Sequence, residues 1–140
     1  MIKMMNGLLA DLVMAAHKAQ GLHWLVKGPD FFMAHAKLEE IYDELQLMVD
    51  EVAEAMLMSD MKPVATMGEF VEKASLKEQK LDFTTSKEAF AAVAADYAAL
   101  IETVGKVKKQ AEKDGQDLIA IKCDTLTETL EKTHWMLTQR

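Results

Sequence analysis

Apolar residues recur at three- and four-residue intervals along four stretches of this chain, and the pattern stops where Gly, Pro and Asp gather. From about residue 2 to 26, Leu8, Leu9, Leu12, Val13, Ala16 and Ala19 keep the spacing of one helix face. Gly21 is less favourable than Ala in a helix by about 1 kcal/mol. The apolar pattern nevertheless continues through Leu22 and Leu25, so the helix is expected to run past it. The break falls at Lys27-Gly28-Pro29-Asp30, where Gly suits a helix end and Pro cannot continue one. Asp30 has the chemistry to cap the next helix.

That second helix, from about residue 31 to 58, carries two stripes. Leu38, Ile41, Tyr42, Leu45, Val49, Val52 and Met56 form an apolar one. His35, Glu39, Asp43, Gln46, Asp50 and Glu54 form a polar one, at spacings of 4, 4, 3, 4 and 4. Residues so spaced share a helix face, so the polar stripe is a continuous line.

The stretch from Ser59 to Thr84 is less regular. Pro63 bars a helix through it, while Thr66 and Glu69 make a capping box for a short helix over residues 66–73. A third long helix is expected to open with Thr85 and Glu88 as another capping box. It runs through Phe90, Val93, Ala94, Tyr97, Ile101 and Val104 to about Lys113, and Asp114-Gly115 ends it. Asp117 is placed to cap a fourth, through Ile119, Cys123, Leu126, Leu130 and Leu137. The prediction is an all-α, single-domain protein over residues 1–140. Its architecture is a ferritin-like four-helix bundle with a short extra helix in the long crossover between helices 2 and 3.

Composition agrees with this and narrows the partners. Half of the 140 residues are apolar, and two Pro and six Gly leave room for long helices. No apolar run approaches the ~20 residues of a membrane span, and the interrupted, Asp11-bearing start does not resemble a signal peptide. One cysteine, Cys123, excludes an intrachain disulfide and suits a reducing cytoplasm. A formal charge of −7 repels nucleic acid and membrane surfaces and favours cations.

Taken alone, the polar stripe reads as a solvated helix face. Two positions point to metal chemistry instead. His35 lies in the stripe, and His23 precedes Pro29 by as many residues as His35 follows it. Folded back antiparallel at that turn, the two helices bring both imidazoles to one level. Two neutral imidazoles with two carboxylates suit a divalent first-row metal such as Fe(II), Mn(II) or Zn(II). Distance then sets the architecture. His35 and Asp50 stand fifteen residues apart, or roughly 22 Å along a helix, while metal–ligand bonds are about 2 Å long. Two copies packing their second helices antiparallel across a two-fold axis near Tyr42 and Asp43 close the gap. His23 and His35 of one copy then meet Asp50 and Glu54 of the other, twice per dimer. The rival, a di-iron site inside one bundle, needs two Glu-x-x-His motifs. This chain has only Glu131-Lys132-Thr133-His134, and the first helix offers only Asp11 as an acid.

The residues also resemble a known family. His-Trp-x-Val-Lys-Gly-Pro-x-Phe-Phe from His23, a second His twelve residues on, and Asp50-Glu51-Val52-Ala53-Glu54 are similar to the Dps-type mini-ferritins. The likeness continues through Pro63-Val64-Ala65-Thr66-Met67 and through Glu131-Lys132 with Trp135-Met136-Leu137, and so covers essentially the whole chain. It implies a hollow dodecameric shell that oxidises Fe(II) to Fe(III), preferably with hydrogen peroxide, at ferroxidase sites between subunits, and stores ferric mineral. It assigns His23, His35, Asp50 and Glu54 as iron ligands, catalytic for the oxidation. Glu39 takes a position, commonly Asp in that family, that helps to hold a second iron. Trp24 takes that of a site-adjacent Trp, for which packing is an equal explanation. The chain departs from the pattern at Ala55, where an Arg is frequent, and at Asp60-Met61, where Gly-Gly is frequent. It departs again at Ile119-Ala120-Ile121, where an acidic segment lines the iron pore; Asp114, Asp117 and Asp124 stand nearby.

His17, six positions from His23 and about 240° around the helix, is expected outside the site. The eleven Met read as adaptable core filler, His134 as a packing residue and Cys123 as a buried thiol. A structural nucleoid-coating shell with little iron chemistry is the alternative function. With Lys3 and Arg140 the only cations near the two ends, strong direct DNA binding is not expected. Protection of DNA by removing iron and peroxide is.

Overall fold

In a computed structural model, residues 1–139 are described; Arg140, the cation at the far end, lies outside them. The elements are α1 (Ile2–Leu25), β1 (Val26–Lys27), α2 (Phe31–Met58), α3 (Met67–Lys73), β2 (Thr84–Thr85), α4 (Ser86–Lys113) and α5 (Asp117–Leu137). The four long helices form the bundle, with α3 in the crossover from α2 to α4. No helix among the described residues is long and apolar enough to cross a membrane.

The predicted apolar stripes become one core. Leu8, Leu9 and Leu12 of α1, Leu38, Leu45 and Val52 of α2, Tyr97 and Val104 of α4, and Ile119 and Leu130 of α5 are all buried in it. Tyr42 and Val49 are only half-buried, at the border between the core and the polar stripe. Gly21 lies inside α1 because the crossover packs onto it: a Cβ there would stand 2.7 Å from Leu81 Cδ1.

Helix termini separate what was legible from what was not. Thr66 and Glu69 form the full reciprocal capping box of α3. At α4 only half the box forms. Thr85 Oγ1 accepts from Glu88 N–H, while the Glu88 carboxylate accepts from Thr84 instead. Asp30 precedes α2 without a side-chain cap bond, because its carboxylate accepts from the Ser86 hydroxyl and ties α2 to the start of α4. Asp117 does not cap α5 either; Gln116 holds that position, and Asp117 is an acid in the first turn, favourable to the helix dipole. Gly115, at φ 68°, closes α4 with Gln116 N–H donating to Ala111 O. Asp60, at φ 60°, closes α2 in the same left-handed conformation, with Met61 N–H donating to Met56 O. An Asp there carries strain that Gly would not, and burial of Met61 holds the turn.

Polar contacts pin the long connections. Buried Asp11 accepts from Ser75 N–H, Ser75 Oγ and Leu76 N–H, and Asn6 Oδ1 accepts from Val64 N–H, so α1 holds the crossover on both sides of α3. β1 and β2, unforeseen in the sequence, pair in parallel at Val26–Thr84 and Lys27–Thr85. Lys18 and Asp96 join α1 to α4 at 2.9 Å. Inside the bundle, Glu44 of α2 accepts from Tyr97 Oη of α4 at 2.7 Å and from Thr133 Oγ1 of α5 at 2.9 Å.

Candidate metal centre

The turn after α1 folds α2 back against it and sets His23 on His35. The two imidazoles stack with centroids 3.7 Å apart and planes 13° from parallel. Each Nδ1 lies within hydrogen-bond distance of the other residue's backbone carbonyl, 2.7 Å from His23 to His35 O and 2.8 Å in return. A carbonyl oxygen only accepts, so each Nδ1 carries a proton, and in the neutral ring Nε2 is the atom left to ligate. The same backbone bonds fix the ring orientations, which is how metal-ligating histidines are held. Phe31, one turn before His35, stacks on its outer face at 4.8 Å, and Tyr42 meets the His23 ring nearly edge-on at 5.3 Å.

Glu39, one turn after His35 on α2, brings Oε1 to 3.8 Å from His23 Nε2. The Tyr42 phenol has its pKa raised by desolvation and by the charges of Glu39 and Asp43, against a hydrogen bond from Gln20. Of the five residues singled out, three thus meet at the hairpin: His23, His35 and Glu39.

Asp50 and Glu54 do not join them. They lie together on the exposed face of the second half of α2. The Glu54 carboxyl is pushed above the usual range by a shared hydrogen bond with Asp50, then by the Asp50 charge, while Lys122 of α5 draws it back. Carboxylates crowded in this way favour a cation between or beside them. Within one chain, among the described residues, no three His, Cys, Asp or Glu side chains converge on a metal position. The donor set is split along one helix.

Other candidates fall elsewhere. His17 is exposed and meets Trp24 edge-on at 6.2 Å, and Trp24 itself is 59% exposed. Glu131 is exposed and His134 half-buried, and Glu44, Tyr97 and Thr133 take the bundle interior between α2, α4 and α5. Cys123 is buried, with its thiol pushed up to about 11 by desolvation, the form of an inert packing residue. Sequence reasoning missed Phe31 and Tyr42 as ring neighbours, although their places at four before and seven after His35 put them on its helix face.

A four-helix bundle with a stacked pair of histidines, one from each of its first two helices, and carboxylates along the second defines a class, and known proteins of that class match it. The ferritin-like domain family matches residues 2–140. "DNA protection during starvation protein 2" of Bacillus anthracis is 34% identical over 136 residues, 97% of this chain and 92% of the relative. Dps from Staphylococcus aureus superposes with a TM-score of 0.91 at 29% identity, covering 97% of this chain and 91% of that one. Dps from Vibrio cholerae, described as "a member of a broad superfamily of ferritin-like diiron-carboxylate proteins", gives 0.92 at 27% identity, covering 97% and 85%. The chain belongs to the Dps family of ferritin-like proteins.

Proposed function

We propose that this protein is a ferroxidase and iron-storage subunit whose sites are completed by pairing two copies. The observation that carries the reading is the His23–His35 clip, in which backbone carbonyls take up both Nδ1 atoms and Glu39 Oε1 lies 3.8 Å from His23 Nε2. Its natural complement, the Asp50–Glu54 pair, lies too far along α2 to reach in the same chain. The Dps relatives and the diiron-carboxylate description of a neighbour favour iron as the substrate.

In this reading His23 and His35 of one copy and Asp50 and Glu54 of the other bind Fe(II). The Nδ1–carbonyl bonds turn both imidazoles so that Nε2 is the ligating atom of the neutral ring, and the carbonyl partners increase ligand basicity. Glu39 helps to hold a second Fe(II). Two Fe(II) ions give two electrons to hydrogen peroxide, which takes up two protons and leaves as two waters. The Fe(III) product hydrolyses and collects as mineral inside a closed, dodecameric shell in the cytoplasm. The charge of −7 gives a surface that repels DNA, so DNA is protected by removal of iron and peroxide, with direct binding weak.

Co-assembly of His35→Ala and Asp50→Ala chains tests the shared site. Neither parent holds an intact site, but every mixed dimer holds one, so random pairing restores about a quarter of wild-type sites. Rapid mixing with Fe(II) and peroxide is expected to recover about that fraction of the burst. A mixture no faster than its parents would place each site within one chain.

A further inference from the structure

Asp50, Glu51 and Glu54 put three carboxylates on one turn of α2, yet only two belong to the proposed ligand set. Glu51 stands about 60° around the helix from Glu54, close enough for its side chain to swing toward a metal beside Asp50 and Glu54. It is engaged elsewhere. Lys122 Nζ of α5 lies 3.7 Å from Glu51 Oε2, with both side chains partly covered, at 25% and 38% exposure. Glu51, Glu54 and Lys122 line one cleft of about 280 Å³ between α2 and α5, and Glu51 and Lys122 continue into a second of about 260 Å³ that ends at Glu44. Lys122 is the one cation in either lining.

We infer that Lys122 is a positioning residue that holds Glu51 out of the metal site and so limits how tightly the site retains a trivalent ion. The inference rests on the assignment of Asp50 and Glu54 as ligands. The physical reason is charge. The attraction of a carboxylate for an ion scales with the ion's charge, so a further carboxylate favours a 3+ product over a 2+ substrate by half as much again in energy. A site that must take up Fe(II) and give up Fe(III) works against itself if a third α2 carboxylate closes on the metal. Lys122 opposes this twice, by tying Glu51 toward α5 and by placing a positive charge beside Glu54. Lysine suits the task, being a compact point charge on a flexible stem at the mouth of the cleft.

Redox-inert probes separate binding from turnover. Zn(II) and Tb(III) affinities are measured on the assembled protein, by calorimetry and by Tb(III) luminescence. Lys122→Gln is expected to tighten Tb(III) roughly thirtyfold and Zn(II) roughly tenfold, a ratio change that a general loss of packing does not produce. Lys122→Arg keeps wild-type affinities. Glu51→Gln in the Lys122→Gln background returns the Tb(III)/Zn(II) preference to within about twofold of wild type. An unchanged preference in Lys122→Gln overturns the inference, and so does a double variant that stays as tight as the single one, since Glu51 is then not the added ligand. Asp50→Asn tests the underlying assignment separately. If it binds Zn(II) as wild type does, the site is misplaced, whatever Lys122 does.

Discussion

The two ends of α2 solve opposite problems. At its start, His35 is locked: stacked on His23 and Phe31, with its ring proton given to the His23 carbonyl. Toward its end, Asp50 and Glu54 are exposed, and a shared hydrogen bond with Asp50, then the Asp50 charge, lift the Glu54 pKa. The nitrogen half is built before metal arrives, and its bonds also hold α1 against α2. The carboxylate half is a strained patch of charge that a cation relieves. Soft, directional nitrogen ligands gain from preorganisation, whereas carboxylates with several binding modes tolerate an adaptable surface. In the proposed function neither half suffices alone, so assembly is a condition of the proposed chemistry.

The largest expected effect is catalytic and common to both halves. His35→Ala and Asp50→Ala are each expected to slow peroxide-driven Fe(II) oxidation by more than about a hundredfold, beyond the usual range for outer-shell changes. Stopped-flow absorbance checks this, and wild-type rates in either variant would break the assignment.

Stability then distinguishes them in sign. His35→Ala leaves the His23 ring without its carbonyl-anchored neighbour and opens the α1–α2 clip, and a loss of about 1–3 kcal/mol is expected. Asp50→Ala is expected to leave the melting temperature unchanged or to raise it. The folded pKa of Glu54 lies above its unfolded value, so the contribution of that contact is present at low pH and is lost as pH rises through the carboxylate range. At neutral pH, then, its removal relieves repulsion. Thermal unfolding of metal-free protein at pH 5 and 7 reads both.

Metal affinity should fall with acidification, because imidazoles must be neutral to ligate and because Glu54 takes up its proton earlier than an ordinary glutamate. Zn(II) titrations from pH 7.5 to 5.5 are expected to lose at least about tenfold in affinity. Flat binding over that range argues against histidine ligation. The smallest effect belongs to Glu39. Glu39→Asp is expected to keep most of the oxidation rate, while Glu39→Ala reduces the number of Fe(II) bound per site, readable by anaerobic titration.

Periodicity made the bundle legible. Core positions such as Leu12, Leu45, Val104 and Leu130 followed from spacing alone, and so did the breaks at Pro29 and Gly115, because local sterics dictate them. Cap chemistry was less legible. Asp30 and Glu88 have the right residue types for their caps, but other partners, Ser86 and Thr84, reach them in the fold. The β1–β2 pairing joins residues 58 apart in sequence, and no local signal announces such a contact. The departure at Asp60 was visible as a missing Gly, and its left-handed backbone became visible only in the turn itself.

The sequence by itself determined the helices, their buried faces and the division of the candidate ligands, because helix rise and residue type are local properties that no packing alters. With Asp50 and Glu54 proposed as co-ligands of the histidines, the sequence also calls for a second copy, since fifteen residues of helix are longer than any side chain. The tertiary structure alone decided how the histidines are held. Stacked rings and crossed Nδ1–carbonyl bonds depend on the angle at which α2 returns along α1, which arises from the whole core. It alone set Lys122 of α5 beside Glu51 of α2, for an ion pair between distant helices depends on how they pack and not on their spacing in the chain.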